Sequence, residues 1–489
     1  MPISLTATSI DPNAGEFPAM LADLQGNILK GHGRDHTINL FIKFSAGRQA
    51  LVKDWLSAFT RVFVTSAKKQ MEQTDFFKTN KVSAGMFVNL FLTASGYKYL
   101  GVPDGKTPQD PSFRNGMKAS KTRLSDPESS TWDAGYDADI HALILIGDDS
   151  PQLVRALKRA IIISLKNLAI PLREEPGKGI RNEAGNGIEH NGYADGVSQP
   201  LFFKKDIDDE ASRIGHTNWH PEAPLNLALV PDPGKAGAFG SYFVFRKLEQ
   251  DVKGFKKREE ELAAAIGLTG DDAERAGALV VGRFEDGTPV TSFKDALENI
   301  AKDKVPNDFM YAGDDGGKCP FHAHIRKTNP RSDGAGVDFN KSKRLVRRGI
   351  PFEKAARVRL PNGDFDPAHF PTKGDGYGLL FMCFVANLGD QFEKGQFEFM
   401  QAHWANEPNF VNTGTGIDPV IGQHKTTDVV QPQQWPTTWG QAVPTKPFVF
   451  ADYVHMKGGA YFFAPSLSTL INLKVSSNPL LPETLQIFI

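Results

Sequence analysis

Residues 140–146 read Ile-His-Ala-Leu-Ile-Leu-Ile, and the fold class turns on them. The run is nearly all apolar, which suits a central strand covered on both faces. Leu153–Leu168 follows as an amphipathic helix. Upstream, Ile38–Phe44 is a second extended run, preceded by the turn-like LQGNILKGHGR. Arg48–Met71 reads as one long helix, because Leu51, Trp55, Phe59, Phe63 and Val64 fall close to helical spacing. Met86–Leu92 reads as a strand and Gly96–Leu100 as part of a short helix.

Downstream, Asn218–Gly240 carries Pro221, Pro224, Pro231, Pro233, Gly234 and Gly237 and reads as a linker. The theme then repeats. Gly240–Leu248 is a strand, and Asp251–Ile266 is a charged helix with Glu and Lys neighbours at turn spacing. A loop-rich middle runs from about Asp286 to Asp375. Tyr377–Ala386 is a strand, Gln391–Trp404 a helix, Ala460–Ala464 a strand and Ser468–Leu473 a helix. Strands alternating with helices in both halves predict two α+β domains, residues 1–220 and 235–489, each a sheet with helices on one face.

The bulk properties narrow the function. The 489 residues are 40% hydrophobic and 23% charged, with 56 basic and 57 acidic side chains. That balance argues against nucleic acid as a partner, since affinity for it rests on excess positive charge. No apolar run approaches the roughly 18 residues that cross a bilayer, so no membrane partner is expected. The N-terminal MPISLTATSIDPNAGEFP has neither a basic start nor an apolar h-region, so it does not read as a secretory signal. Two cysteines, Cys319 and Cys383, exclude a disulfide framework and any Cys-rich metal site, and Cys383 reads as a core residue.

Three segments put reactive side chains into loops punctuated by glycine or proline, where function concentrates. In His190–Gly196, HNGYADG, Asp195 sits at a loop tip, although Asp-Gly is also an ordinary turn pair. In Cys319–Arg326, CPFHAHIR, His322 and His324 share a side if the backbone is extended. They suit a metal clasp, one axial haem ligand, or solvated loop histidines. In Lys341–Arg348, KSKRLVRR, five of eight residues are basic. This reads as a solvated or anion-facing patch, with Val346 and the following Gly-Ile-Pro allowing an arginine to face a pocket.

In order, these segments resemble the dye-decolorizing peroxidases. EHNGYADGVSQP resembles the GxxDG signature, CPFHAHIRKTNPR the proximal-histidine segment and LVRRGIPF the distal-arginine segment. GSYFVFRKL, YGLLFMCFVAN, QFEFMQAHWAN, GIDPVIG and MKGGAYFFAPS also match, and the long loop-rich insertions look like the fungal branch. The resemblance implies two ferredoxin-like domains with antiparallel sheets, and haem b held between sheet and helices of the C-terminal half. It implies His324 as axial iron ligand, Asp418 as acceptor from its imidazole, Asp195 as distal acid–base residue and Arg347 as distal arginine, with Arg348 the alternative one residue on. Leu379 and Phe381 match the distal apolar residues. Arg326, like Arg331, is a candidate for the haem propionates.

The implied reaction uses hydrogen peroxide to oxidise bulky dyes, phenols and lignin-like compounds through a ferryl intermediate. Cleaving a peroxide O–O bond needs a base to carry a proton between its oxygens, and a cation to stabilise the charge that develops. The ordinary pKa of an aspartate, about 3.9, implies an acidic activity optimum. Substrates too large for a buried haem need a surface relay, for which Trp404 is the candidate, since Phe352 stands where the family often has Tyr. Glu353, Asp364 and Asp366 are the candidates for manganese(II). No C-x-x-C-H occurs, so the haem is expected to be non-covalent. Two other readings stand beside this one: a haem carrier or iron-release protein on the same scaffold, and a non-haem metallohydrolase using His322 and His324. The chain is expected to be a monomer or homodimer. The fungal resemblance implies secretion, with a cytoplasmic location the alternative, and Asn340-Lys341-Ser342 is the one glycosylation sequon.

Overall fold

In a computed structural model, residues 3–298, 300–397, 416–423 and 431–488 are described. The strand at the centre of the sequence reading is β3, Ala142–Asp148, and all seven of its residues are buried. It lies between β1 (His36–Phe44) and β2 (Phe87–Leu92), antiparallel to both. β4, Ala169–Lys178, pairs with the far side of β1. The order is therefore β4-β1-β3-β2, the ferredoxin-like arrangement. The helices Gln49–Phe63 and Pro151–Ser164 supply its two crossovers.

The second half repeats that order with different residues. A short β5 (Val230–Pro231) leads into β6 (Phe239–Gln250), which lies between β9 (Tyr377–Val385) and β12 (Val454–Ala464). β7 (Val346–Arg347) and β8 (Ile350–Glu353) both pair with β9. The halves join where β12 meets β2 at Phe463 and Leu92, giving an eight-strand antiparallel path, β4-β1-β3-β2-β12-β6-β9-β7, with β5 and β8 attached to β6 and β9 to complete a ten-stranded sheet. That sheet does not close into a barrel. Its outer strands β4 and β8 meet through side chains, including the Lys178–Glu353 ion pair at 2.6 Å. A hairpin of β10 (Gln433–Thr438) and β11 (Gln441–Phe448) stands apart.

Four readings of the sequence need revision. The long helix 48–71 is two: Gln49–Phe63 ends, Thr65 bonds across to Val88, and Ser66 caps a second helix, Ala67–Asn80. Side-chain capping of free N–H groups there outcompetes continuing one helix. β4 was not foreseen because Pro171 and Pro176 and its charged residues break any apolar pattern; as an outermost strand it tolerates them. The stretch 218–240 is no free linker, since Trp219, Leu225 and Leu229 are at most 1% exposed. Its prolines shape a segment packed into the main core rather than a tether. The helix expected over Gln391–Trp404 begins as a π-helical stretch, Leu388–Glu393, and Trp404 lies outside the described residues.

One core runs through both half-sheets, with Phe41, Phe91, Phe243, Phe384 and Phe462 at its centre. Each such side chain contributes about 1.5–3 kcal/mol on burial. A second core gathers the helix Val252–Ile266, Cys319, Trp435 and Phe450. Both cysteines are free and buried, as expected of core residues. Among the described residues no helix is long and apolar enough to cross a membrane.

Candidate active site

Asp195 is set by its backbone. Gly192 and Gly196 adopt φ of 96° and 74°, which L side chains avoid. The loop between them is held by Ala194 N–H to Glu285 O at 2.9 Å and Asp195 N–H to Gly187 O at 2.9 Å. The carboxylate is left about one-third exposed at the wall of a cavity.

Arg347 reaches the same wall from β7, whose partner is β9. Its Nη1 lies 3.4 Å from Asp195 Oδ1, its Nη2 donates to Ser198 O at 3.0 Å, and its backbone N–H donates to Gln199 Oε1 at 3.2 Å. Alternation along a strand sends its neighbour elsewhere. The Arg348 guanidinium donates to Asn27 O and Ile28 O instead. Of the two arginines it is thus Arg347 that stands beside Asp195.

His324 opens the short helix His324–Thr328 and lines the cavity too. Its Nδ1 is 2.8 Å from Asp418 Oδ2, while Oδ1 of that carboxylate accepts from Val420 N at 2.8 Å and Ile421 N at 3.0 Å. Asp418 is fully buried. Burial opposes its charge, yet the imidazole and the two backbone donors hold it below the usual carboxylate range. Desolvation likewise opposes an imidazolium, and the Asp418 charge outweighs it, holding His324 above its ordinary value. With Nδ1 engaged, Nε2 is the nitrogen left for the cavity.

The cavity, counted out to its open mouth and the solvent there, takes in about 1840 Å³ of free space. Leu379 and Phe381, two apart on β9, present one apolar face to it, and Leu248 and Met456 add to the wall. Arg283, Arg331 and Arg344 also line it and are at most 6% exposed. Among the described residues they donate only to carbonyls and to the Asn307 amide, never to a carboxylate. Burial pushes Arg283 down to about 10, Arg331 to about 9 and Arg344 to about 10. Buried cations that form no ion pair among the described residues, set around an apolar cavity, fit a flat dianion with an apolar body, which is the chemistry of a haem.

Arg326 does not join them. Its guanidinium is wholly buried away from the cavity in ion pairs with Asp333 at 2.6 Å and Asp314 at 3.1 Å, so it has no charge left for a propionate. His322 packs its ring 4.3 Å from Trp435 rather than beside His324. Among the described residues no group of three or more His, Cys, Asp or Glu is arranged to hold a metal. The manganese candidates are scattered: Glu353 pairs with Lys178, Asp364 accepts from Asn362, and Asp366 caps Ala368 and meets His369. Trp404 lies outside the described residues. Asn340 of the sequon is 3% exposed, and its amide donates to Arg331 O and Asp333 O, so folding leaves no site for a glycan.

Sequence reasoning passed over Glu189, six residues before Asp195 in the quoted motif. It lines the cavity and accepts from Gln250. Desolvation and the Asp195 carboxylate push it up to about 7. Arg331 was a candidate for the propionates, but Arg283 and Arg344 were missed in that role, because they come from segments 61 residues apart with no shared pattern.

Comparison with known proteins identifies the family. Residues 23–170 match the model of the DyP dimeric alpha+beta barrel domain. The chain is 43% identical to the multifunctional dye peroxidase DyP2 of Amycolatopsis sp. over 97% of its own length and 100% of that protein. The solved structure of DyP2 superposes with a TM-score of 0.88, covering 96% of this chain and 100% of that one. A DyP-type peroxidase from Anabaena sp. gives 0.85 at 39% identity, covering 94% and 96%. The dye-decolorizing peroxidase msp1 of Mycetinis scorodonius is 28% identical over 96% of this chain and 90% of that protein. The expected fungal branch is therefore not supported, because bacterial sequences match at the higher identity.

Proposed function

Since the chain belongs to the dye-decolorizing peroxidases, hydrogen-peroxide-dependent oxidoreductases that act on dyes, we propose that it binds haem b through His324 and activates peroxide with Asp195 and Arg347. The observation that carries this reading is the convergence of His324, backed by Asp418, and of the Asp195–Arg347 pair on one cavity. When bound, the haem supplies a redox iron whose potential the axial ligand tunes. Asp418 fixes the His324 tautomer and raises the basicity of its Nε2. Asp195 accepts a proton from one peroxide oxygen and returns it to the other, and Arg347 stabilises the negative charge that grows between those two events. Leu379 and Phe381 keep water from the reacting oxygens. Arg331 keeps the propionate role expected of it, and Arg283 and Arg344 join it in place of Arg326.

The reducing substrates proposed are bulky dyes and phenols, with Trp404 relaying electrons from those too large to enter. In Trp404→Phe, dye turnover should fall while small-phenol turnover stays; equal loss of both would remove the relay. The division at residues 1–220 and 235–489 into two ferredoxin-like units is part of the same proposal, supported by the repeated strand order. Secretion leaned on the fungal resemblance and loses that support. An absorbance spectrum of the purified protein before and after one equivalent of peroxide tests the whole reading. A Soret band that shifts on addition and recovers with dye is expected. A Soret band inert to peroxide would favour a haem carrier, which has no use for the Asp195–Arg347 pair.

A further inference from the structure

The loop Gln25–His32 takes no part in the cavity wall, yet its hydrogen bonds lead there. Gln25 is fully buried and spans the seam of the sheet: its Nε2 donates to Leu90 O at 2.7 Å on β2 and to Pro465 O at 2.9 Å just past β12. Two residues on, Asn27 O and Ile28 O accept from the Arg348 guanidinium at 2.6 and 3.0 Å. The third contact of that guanidinium is Arg347 O at 2.7 Å, and Arg348 N–H donates to Met382 O at 2.7 Å on β9. The loop is held from its other side by Gln70 of the helix Ala67–Asn80. Gln70 Oε1 accepts from Asn27 N–H at 2.5 Å, and its Nε2 donates to Lys30 O and Gly31 O, both at 2.8 Å. A continuous chain of bonds therefore runs from Gln70 through the loop to Arg348 and on to Arg347.

The need for such a chain follows from how weakly Arg347 is otherwise fixed. β7 is two residues long, too short a ladder to set a backbone by itself. The side chain of Arg347 has one contact at 3.0 Å and one at 3.4 Å, and an arginine carries about 2 kcal/mol of rotamer entropy. Arg348 meets three carbonyls through three separate nitrogens of one rigid plane, a spread that a single ammonium nitrogen does not cover. An ordinary packing role at this position would be filled by an apolar side chain.

We infer that the loop 27–31 is a positioning device for the cavity arginine: Gln70 fixes the loop, the loop carbonyls hold Arg348, and Arg348 sets where Arg347 stands against Asp195. Arg348 and Gln70 are positioning residues, not catalytic ones, and their role rests on the reading of Arg347 given under the proposed function.

The test uses the holoenzyme and its Arg348→Lys, Gln70→Met, double and Arg347→Leu variants. Three quantities are measured: the second-order rate with peroxide by stopped-flow, the affinity of the ferric protein for cyanide, and the melting temperature. Cyanide is an anion that needs the same guanidinium but undergoes no turnover. Arg348→Lys and Gln70→Met should each lower the peroxide rate and cyanide affinity about tenfold to a hundredfold, the scale of an ångström-sized misplacement. The double variant should lose no more than the worse single one, because both act on one chain. Wild-type peroxide rate and cyanide affinity in both single variants, even with lowered melting temperatures, would make the loop merely structural and overturn the inference. Independent, additive losses would do the same. If Arg347→Leu itself leaves the peroxide rate unchanged, the reading of Arg347 falls, and the positioning role with it. Should Arg348→Lys not fold, Gln70→Met carries the same comparison from the far side of the loop.

Discussion

Replacing Asp418 by Asn asks the most searching question of the site, because it changes one charge and almost no shape. In the wild-type protein the carboxylate accepts three hydrogen bonds: His324 Nδ1 at 2.8 Å, Val420 N at 2.8 Å and Ile421 N at 3.0 Å. The Asn oxygen can keep the two backbone donors, so the turn Asp418–Gly422 that they close should survive. What goes is one charge-assisted bond to the imidazole, and such bonds contribute about 1.5–3 kcal/mol. That range corresponds to roughly tenfold to a hundred-and-fifty-fold in an equilibrium constant, in line with the about 10–100-fold typical of losing a partner behind a metal-bound histidine. Haem affinity, from Soret titration of the apoprotein at neutral pH, should fall by that factor, and the ferric absorption bands should shift as the axial nitrogen becomes less basic. The melting temperature of the apoprotein separates this from unfolding. Unchanged affinity with unchanged bands would refute the idea that Asp418 acts on the iron through His324.

Asp195→Asn should keep the Soret band while the second-order rate with peroxide drops about 10²–10⁴-fold, the usual worth of a general base; a drop below tenfold in stopped-flow would reassign the base, with Glu189 the next carboxylate on the wall. His190 is buried against Phe352 O at 2.9 Å, and burial pushes it down to about 4 from the ordinary 6.5 of an imidazole. The folded state therefore binds fewer protons than the unfolded chain between those values, so the contribution of His190 is fully present above pH 6.5 and is lost as pH falls toward 4. The loss is on the order of 3 kcal/mol at most, and His190→Gln should flatten that limb of the melting curve against pH. A slope identical to wild type would show that other groups set it. Asn340→Ala, which leaves Arg331 O and Asp333 O unbonded at a buried turn, should cost about 1–3 kcal/mol by denaturant melting. Mass spectrometry of protein made in a glycosylating host should find Asn340 unmodified; a glycan there would contradict its burial.

Some of this molecule could be read directly from its residues. β3, β9 and the helix Pro151–Ser164 were legible because a covered strand and an amphipathic helix write their burial into local periodicity. Asp195, His324 and the Arg347–Arg348 pair could be picked out as candidates because each lies in a short segment that resembles a family motif, and around Asp195 the flanking Gly192 and Gly196 do take the positive φ that such a loop needs. β4, β8 and the β10–β11 hairpin were not, since strands at a sheet's margin or outside the main sheet carry no apolar pattern of their own. Nor could the residues alone separate Arg347 from Arg348, or send Arg326 to Asp314 and Asp333 while turning Arg283, Arg331 and Arg344 toward the cavity. A guanidinium looks the same in sequence wherever it lies. Its role depends on which carboxylate or carbonyl folding brings within 3 Å, and those partners come from segments as far apart as Asn27 and Arg348. Local chemistry is determined along the chain, whereas the pairing of charges is decided only when distant strands meet.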